Sequence, residues 1–235
     1  MRTVLVPHVV AGALRLGAPE SHHLLRVICL PRGGSVRVTD GTGNEAHATL
    51  DDVLDGLACL TVGALTTAAP PPPCVVLLGM PKPALLEEAV TLGVECGATA
   101  LWLVNAARSL PVAPRLDRLE RVIDAALKQC RRADRPALSA FSSIDGAIRA
   151  APPGARFLAA PGGASAAEAW SAAAPQRNGD AAYSLAIGPE GGWTPGEIDA
   201  LLTAHFVTVN LGTAILRAPT AVAAGLSALN ATRLR

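Results

Sequence analysis

Four consecutive prolines, Pro70 to Pro73, divide this chain into two stretches of different pattern. Such a run favours extended polyproline II and continues neither a helix nor a central strand. The residues on its two sides must therefore fold around separate elements. Ahead of the prolines, residues 3–6, 35–39, 45–50 and 57–62 are short apolar runs. Pro31-Arg32-Gly33-Gly34 and Asp40-Gly41-Thr42-Gly43 break them as turns. Val36, Val38, Ala46 and Ala48 alternate with polar residues, the period of half-buried strands. Asp40-Gly41 between two such runs is a hairpin signal. This spacing predicts a small β-rich domain over residues 1–67, a barrel or sandwich, and a Pro-rich linker over 68–73. A short helix is expected over 21–27. His22 and His23 are adjacent in it and cannot share a helix face, which argues against a metal site there.

From residue 74 to 235 the pattern changes. Residues 74–80, 100–104, 138–141, 156–160, 183–187 and 207–211 read as strands. Helices are expected between and after them, over 83–96, 115–133, 144–149, 164–173, 195–205 and 219–234. Strands that are continuous apolar runs, alternating with helices, imply an α/β domain with a mostly parallel sheet covered on both faces. Half of the 235 residues are apolar but only 3% are aromatic, so Ala, Val and Leu must build the core. No apolar run reaches the roughly 18 residues of a membrane helix. The amino-terminal residues look like a strand rather than an export signal, so the cytoplasm is the expected compartment. The five cysteines, Cys29, Cys59, Cys74, Cys96 and Cys130, are odd in number and widely spaced, without a C-x-x-C pair. Reduced core thiols are expected rather than a disulfide framework or a metal site.

The net charge of +1 demands no polyanionic partner, but its distribution is uneven. Between residues 105 and 135 stand eight basic residues, Arg108, Arg115, Arg118, Arg121, Lys128, Arg131, Arg132 and Arg135, against four acidic ones, Asp117, Glu120, Asp124 and Asp134. On a helix this is either a phosphate-binding face or a solvated surface laced with pairs such as Asp117 and Arg121.

Three glycine-bearing segments follow the later strands: Ala160-Pro161-Gly162-Gly163, Gly188-Pro189-Glu190-Gly191-Gly192, and Gly212-Thr213-Ala214-Ile215-Leu216-Arg217. Thr194, Pro195 and Glu197 after the second of them form a helix start, with a capping box and proline at the first helical position. Loops at the carboxyl ends of strands bind ligands in open α/β sheets, although the same residues would also serve a plain strand-to-helix turn. Converging, they would present backbone N–H and C=O groups to a small polar cofactor. Neither a dinucleotide fingerprint nor a P-loop is present.

These residues carry a resemblance. Ile187-Gly188-Pro189-Glu190-Gly191-Gly192, Glu197-Ile198, then Leu211-Gly212 with Ile215-Leu216-Arg217 and Thr220-Ala221, resemble the small-subunit ribosomal RNA uridine-N3 methyltransferases of the SPOUT superfamily. His23-Leu24-Leu25-Arg26-Val27 ahead of Gly34 and Asp40-Gly41 is similar to that family's amino-terminal PUA-like barrel. Glu95-Cys96-Gly97-Ala98, and Ala125 to Arg132 with Pro136, are similar to two further segments of it. The chain departs from the family at Cys29, Leu85 and Ala214, where arginine is usual, and at Lys128 and Pro219, where glutamate is usual.

The resemblance implies a trefoil-knotted α/β domain, a homodimer, S-adenosylmethionine as cofactor and 16S ribosomal RNA or the small subunit as partner. It places the cofactor on Ala160, Pro161, Gly162, Ile187, Gly188, Pro189, Glu190, Gly191, Gly192, Leu211, Gly212, Ile215, Leu216, Arg217, Thr220 and Ala221. Arg217, then Arg132, are the candidates for stabilising the uracil anion. Glu190 would accept a proton or cap the following helix. Arg26, Arg115, Arg118, Arg131 and Arg132 are the candidates for RNA phosphates. A ribose 2′-O-methyltransferase of the same superfamily, or a non-catalytic RNA-binding or ribosome-assembly protein, would share much of this pattern. The product nucleoside separates them.

Overall fold

A computed structural model describes residues 2–173 and 182–233. They pack into two compact units. One takes the residues up to Pro71 together with Asp124–Arg135, and the other takes Pro72–Ile123 and the residues from Pro136 onward.

In the first unit β1 (Arg2–Leu5), β2 (Gly12–Arg15), β3 (Ser35–Thr39), β4 (Asn44–Leu54) and β5 (Leu57–Thr67) form one mixed sheet, ordered β1-β3-β4-β5-β2. β1 runs parallel to β3 and the other pairs are antiparallel. The alternation in the sequence decides the inner side: Val36, Val38, Ala46 and Ala48 are buried, together with Val4, Leu24, Leu50 and Leu60. The turn from β3 to β4 is built on Asp40, whose carboxylate accepts from the N–H and hydroxyl of Thr42 and from the Asn44 amide. Burial alone would raise the Asp40 pKa. The bonds from Asn44 and Thr42 outweigh it and hold the group below its ordinary value.

Residues 21–27 do not form one regular helix. α1 (Ala18–His22) starts around Pro19, a residue suited to a first turn, and His23–Val27 is a π-helical turn closed by the Ile28 N–H on the His23 carbonyl. The Ser21 hydroxyl donates to the Leu16 carbonyl and accepts from the Ala58 N–H, fixing α1 to β5. Asp124–Arg135 join this unit through the same turn. The Gly43 N–H donates to the Ala133 carbonyl (2.9 Å) and the Arg135 N–H to the Gly41 carbonyl (2.7 Å). Lys128 pairs with Glu20 at 3.2 Å.

The second unit holds β6 (Cys74–Gly79), β7 (Ala100–Val104), β8 (Ala137–Phe141), β9 (Ala155–Ala164), β10 (Tyr183–Ile187) and β11 (Val207–Val209). All pairs are parallel and the order is β11-β9-β10-β6-β7-β8. The helices are α2 (Pro83–Glu95), α3 (Leu116–Cys130), α4 (Ile144–Ala150), α5 (Ala166–Ala172), α6 (Pro195–Thr203) and α7 (Ala218–Arg233). The division between units falls within α3. Every residue of β6 and β10 is buried, as a parallel sheet covered on both faces requires. α7 packs on α2 and α5, and the Tyr183 hydroxyl donates to the Asn230 side chain (3.0 Å). Phe157 and Trp170 stack beside it, with ring centres 5.3 Å apart. Leu77, Leu158 and Ala186 pack with Ile144 and Ala147 of α4 and with Leu201 and Phe206.

Three expectations change. β9 does not stop at Ala160 but runs through Pro161, Gly162 and Gly163 to Ala164. Its pairing with β11 jumps from Leu158 to Ala164, so the expected loop is a bulge within a strand. A Cβ on Gly163 would stand 2.8 Å from the Val209 carbonyl carbon, so this close approach requires glycine. β11 is only three residues long and leaves Asn210 and Leu211 outside it. Of the cysteines, only Cys74 is a core residue, and Cys29 is exposed. Leu234, where the last helix was expected to end, lies outside the described residues. Among the described residues no helix is long and apolar enough to cross a membrane, and no group of three His, Cys, Asp or Glu could hold a metal ion.

Candidate active site

Parallel strands bring their carboxyl ends to one edge of the sheet. From β6 the chain adds β7 and β8 on one side and β9 to β11 on the other, so the edge at β6 and β10 is a topological switch point, where open α/β sheets bind ligands. The β10 loop is seated directly on β6. At Gly79 a Cβ would meet Pro189 Cδ at 2.5 Å and Pro189 N at 2.8 Å, so any larger residue would displace the loop.

The loop is also tied to its other neighbours. Glu197 accepts from the Thr194 N–H (2.7 Å) and hydroxyl (2.9 Å), the expected capping box, and also from the Ala107 N–H (2.8 Å) in the segment after β7. Burial would raise the Glu197 pKa. Hydrogen bonds from Thr194 and Ala107, with the Arg108 charge, outweigh it and hold the carboxyl below its usual range. Arg108 itself donates to the Gly191 carbonyl (2.9 Å) and the Trp193 carbonyl (3.4 Å). The carboxylate of Glu190 accepts from the Lys82 N–H at 3.2 Å. Glu190 therefore caps α2, whereas the helix that follows it, α6, is capped by Thr194 and Glu197.

The residues can hold a small polar molecule. Nothing lies within 4 Å of where a Cβ would stand on Gly162, Gly192 or Gly212, so all three glycine segments leave open backbone at this edge. The Trp193 indole N–H is buried against Gly188 and has no hydrogen-bond partner among the described residues. Ile187 and Pro189 are buried, Gly188 and Gly192 half-buried, and Gly191 exposed. Ala160 and Leu211 are half-buried, Pro161 and Gly162 exposed. On the third segment Ile215 is 93% exposed and Leu216 half-buried. Arg217 is exposed at the start of α7, and its carbonyl accepts from the buried Ala221 (2.8 Å), one residue past the exposed Thr220.

The predicted cationic residues divide between the units. Arg115 and Arg118 lie in the second with the loops, and Arg26, Arg131 and Arg132 lie in the first. Much of the charge on and after α3 is already paired: Arg118 with Glu87, Arg121 with Asp117, Arg132 with Asp134 and Arg135 with Asp124. Arg26 and Arg131 are exposed, and no described residue forms an ion pair with either. Arg108 was visible in the sequence only as one of eight basic residues, and Glu197 only as half of a capping box. Their second partners come from loops far away in the chain.

Fold and loops together define an α/β protein whose glycine segments share the switch-point edge of a parallel sheet, a candidate ligand site. Residues 69–230 match the RNA methyltransferase domain family, and the chain belongs to that family. It is 32% identical, over 98% of its own length and 77% of the other's, to "Ribosomal RNA small subunit methyltransferase E" of Synechocystis. The Bacillus subtilis protein of the same name is 27% identical over 94% and 90% of the two chains. The crystal structure of a ribosomal RNA small subunit methyltransferase E from Neisseria gonorrhoeae bound to S-adenosyl methionine has the same fold. Its TM-score is 0.86 at 22% identity, over 98% of this chain and 97% of that one.

Proposed function

We propose that this protein is an S-adenosylmethionine-dependent methyltransferase that methylates N3 of a uridine in 16S ribosomal RNA of the small subunit. One observation carries the reading: three open glycine segments share the switch-point edge in a chain related along nearly its whole length to a ribosomal RNA small subunit methyltransferase. S-adenosylmethionine bound there supplies a methyl group activated by its sulfonium. The backbone of Ala160, Pro161 and Gly162, of Ile187 to Gly192, and of Leu211, Gly212, Ile215 and Leu216 holds and orients it, with Thr220 and Ala221 behind the third segment.

The chain's main task is alignment, which is worth roughly 7–11 kcal/mol when the reacting atoms are held about 3–3.5 Å apart. Uridine N3 lies on the pairing edge of the base, so the target must be unpaired or flipped. Arg217, exposed beside the third segment, stabilises the negative charge that grows on the uracil carbonyls as N3 loses its proton. Arg132, the second candidate, lies in the first unit and pairs with Asp134, and only its phosphate role is kept. Glu190 has one edge of its carboxylate fixed on the Lys82 N–H and keeps lone pairs for a substrate or cofactor proton. Arg26, Arg115, Arg118, Arg131 and Arg132 hold phosphates and set register.

The insertion of β10 between β9 and β6 supports a trefoil knot in residues 74–235. The mixed five-stranded sheet of residues 1–67 supports a PUA-like RNA-binding domain, joined through the proline linker 68–73. The fully exposed Ile215 beside the site supports a homodimer that covers it. The cytoplasm, where ribosomes are assembled, is the compartment. The test is incubation of the purified protein with labelled S-adenosylmethionine and small-subunit ribosomal RNA lacking the modification. Label in N3-methyluridine supports the proposal, and label in a ribose-methylated nucleoside replaces it with the 2′-O reaction.

A further inference from the structure

A cleft of about 400 Å³ opens in the second unit beside the β10 loop, walled by Met80, Pro81, Pro83, Ala84, Leu110 and Pro114. It is distinct from the three glycine segments, none of whose residues line it. It nevertheless shares supports with the β10 loop. Lys82, between Pro81 and Pro83, donates its N–H to Glu190. Ser109, next to Leu110, donates to the Met80 carbonyl (3.0 Å), and Arg108 donates to the Gly191 carbonyl.

The size falls in the range of small-ligand sites, roughly 300–1,000 Å³. The walls are apolar and stiffened by three prolines. The charged residues lining the cleft are Glu87, Arg115 and Arg118. The two arginine side chains are 71% and 56% exposed, paired with Asp117 and Glu87 at the surface. Surface pairs of this kind contribute little and exchange readily for a phosphate. A flat ring with apolar faces, linked on both sides to anionic groups, matches this combination: a nucleotide within a strand.

We propose that the cleft receives one unstacked base of the RNA substrate, from a nucleotide neighbouring the target uridine, while Arg115 and Arg118 hold the phosphates on either side. This rests on the methyltransferase reading. The base is a neighbour and not the target, because the segments that hold the cofactor do not line the cleft. Anchoring a neighbour there sets the distance at which the target reaches the β10 loop, so the cleft determines which uridine is selected.

The experiment uses the full chain saturated with S-adenosylmethionine and single-stranded oligoribonucleotides that span the methylated uridine. One nucleotide at a time is replaced by an abasic residue, and binding is read by fluorescence anisotropy. Removing one particular base beside the target is expected to weaken binding at least fivefold, the lower end of what stacking a base is worth. Ala84→Phe places a ring in the cleft from an exposed position on the first turn of α2. It is expected to lose the same factor on intact RNA and to become indifferent to that abasic site, with cofactor binding unchanged. Val112→Glu, also exposed and lining the cleft, is the second variant and should behave alike. Equal binding at every abasic position, or wild-type binding of intact RNA by both variants, overturns the cleft assignment and leaves the methyltransferase reading standing. Normal cofactor binding with no RNA bound contradicts the methyltransferase reading, and the cleft assignment falls with it.

Discussion

Arg217 stands where the third glycine segment turns into α7, with its backbone carbonyl committed to the helix and its side chain exposed. In its proposed role a guanidinium there would stabilise charge only in the transition state, so Arg217→Ala should lower kcat by about a hundred- to a thousandfold. Cofactor affinity should stay nearly unchanged, as read by calorimetry. A loss confined to cofactor affinity would reassign Arg217 to binding. Glu197 makes a prediction of a different kind. Its carboxylate joins a capping box to the Ala107 N–H, and Glu197→Ala should cost about 0.5–2 kcal/mol of stability, the usual worth of a cap. Because the folded state holds the Glu197 pKa below its ordinary value, its charge-dependent stability is fully present above that ordinary value. It is lost as the pH falls through the lowered folded value. The stability difference between wild type and Glu197→Gln should therefore shrink on acidification, and a difference independent of pH would remove the charge from the account.

α3 and the turn after it carry six of the eight basic residues between residues 105 and 135, but their arginines do not act alike. Arg121 is spent on Asp117 within the helix and Arg135 on Asp124, whereas Arg131 is exposed without a described ion-pair partner. Arg131→Ala should weaken RNA binding and reduce the slope of log affinity against log salt by about one. Arg121→Ala should leave that slope unchanged. Titrations at several salt concentrations separate the two, and equal slopes for wild type and Arg131→Ala would remove Arg131 from the interface.

The elements themselves were largely legible in the sequence, because the apolar runs of β6, β7 and β10 and the Thr194–Glu197 box are local signals. The bulge in β9 was not. Pro161-Gly162-Gly163 reads as a loop, and only the close approach of the Val209 backbone to Gly163 keeps it in the strand. The glycine segments of the candidate edge were legible as a pattern, but the fastening of that edge by Arg108 and Glu197 was not. Those contacts join residues 83 and 90 positions apart, which no local pattern encodes.

At the scale of the whole molecule, the first compact unit is discontinuous in sequence. Gly41, Gly43 and Glu20 find partners in Arg135, Ala133 and Lys128, beyond the proline run. A fragment ending at Pro71 lacks those partners and leaves the β3–β4 turn with open backbone groups. Hydrogen exchange should find the amide of Gly43 much less protected in the fragment than in the full chain. Equal protection would mean that the sheet completes itself without residues 124–135.

The central claim is the reaction and its target. Nucleosides from the small-subunit ribosomal RNA of cells lacking this protein, and of the same cells with it restored, should be compared by mass spectrometry. N3-methyluridine is predicted to vanish on deletion, return with the wild-type protein and stay absent with Arg217→Ala. N3-methyluridine at the same level in all of these cells would contradict the account.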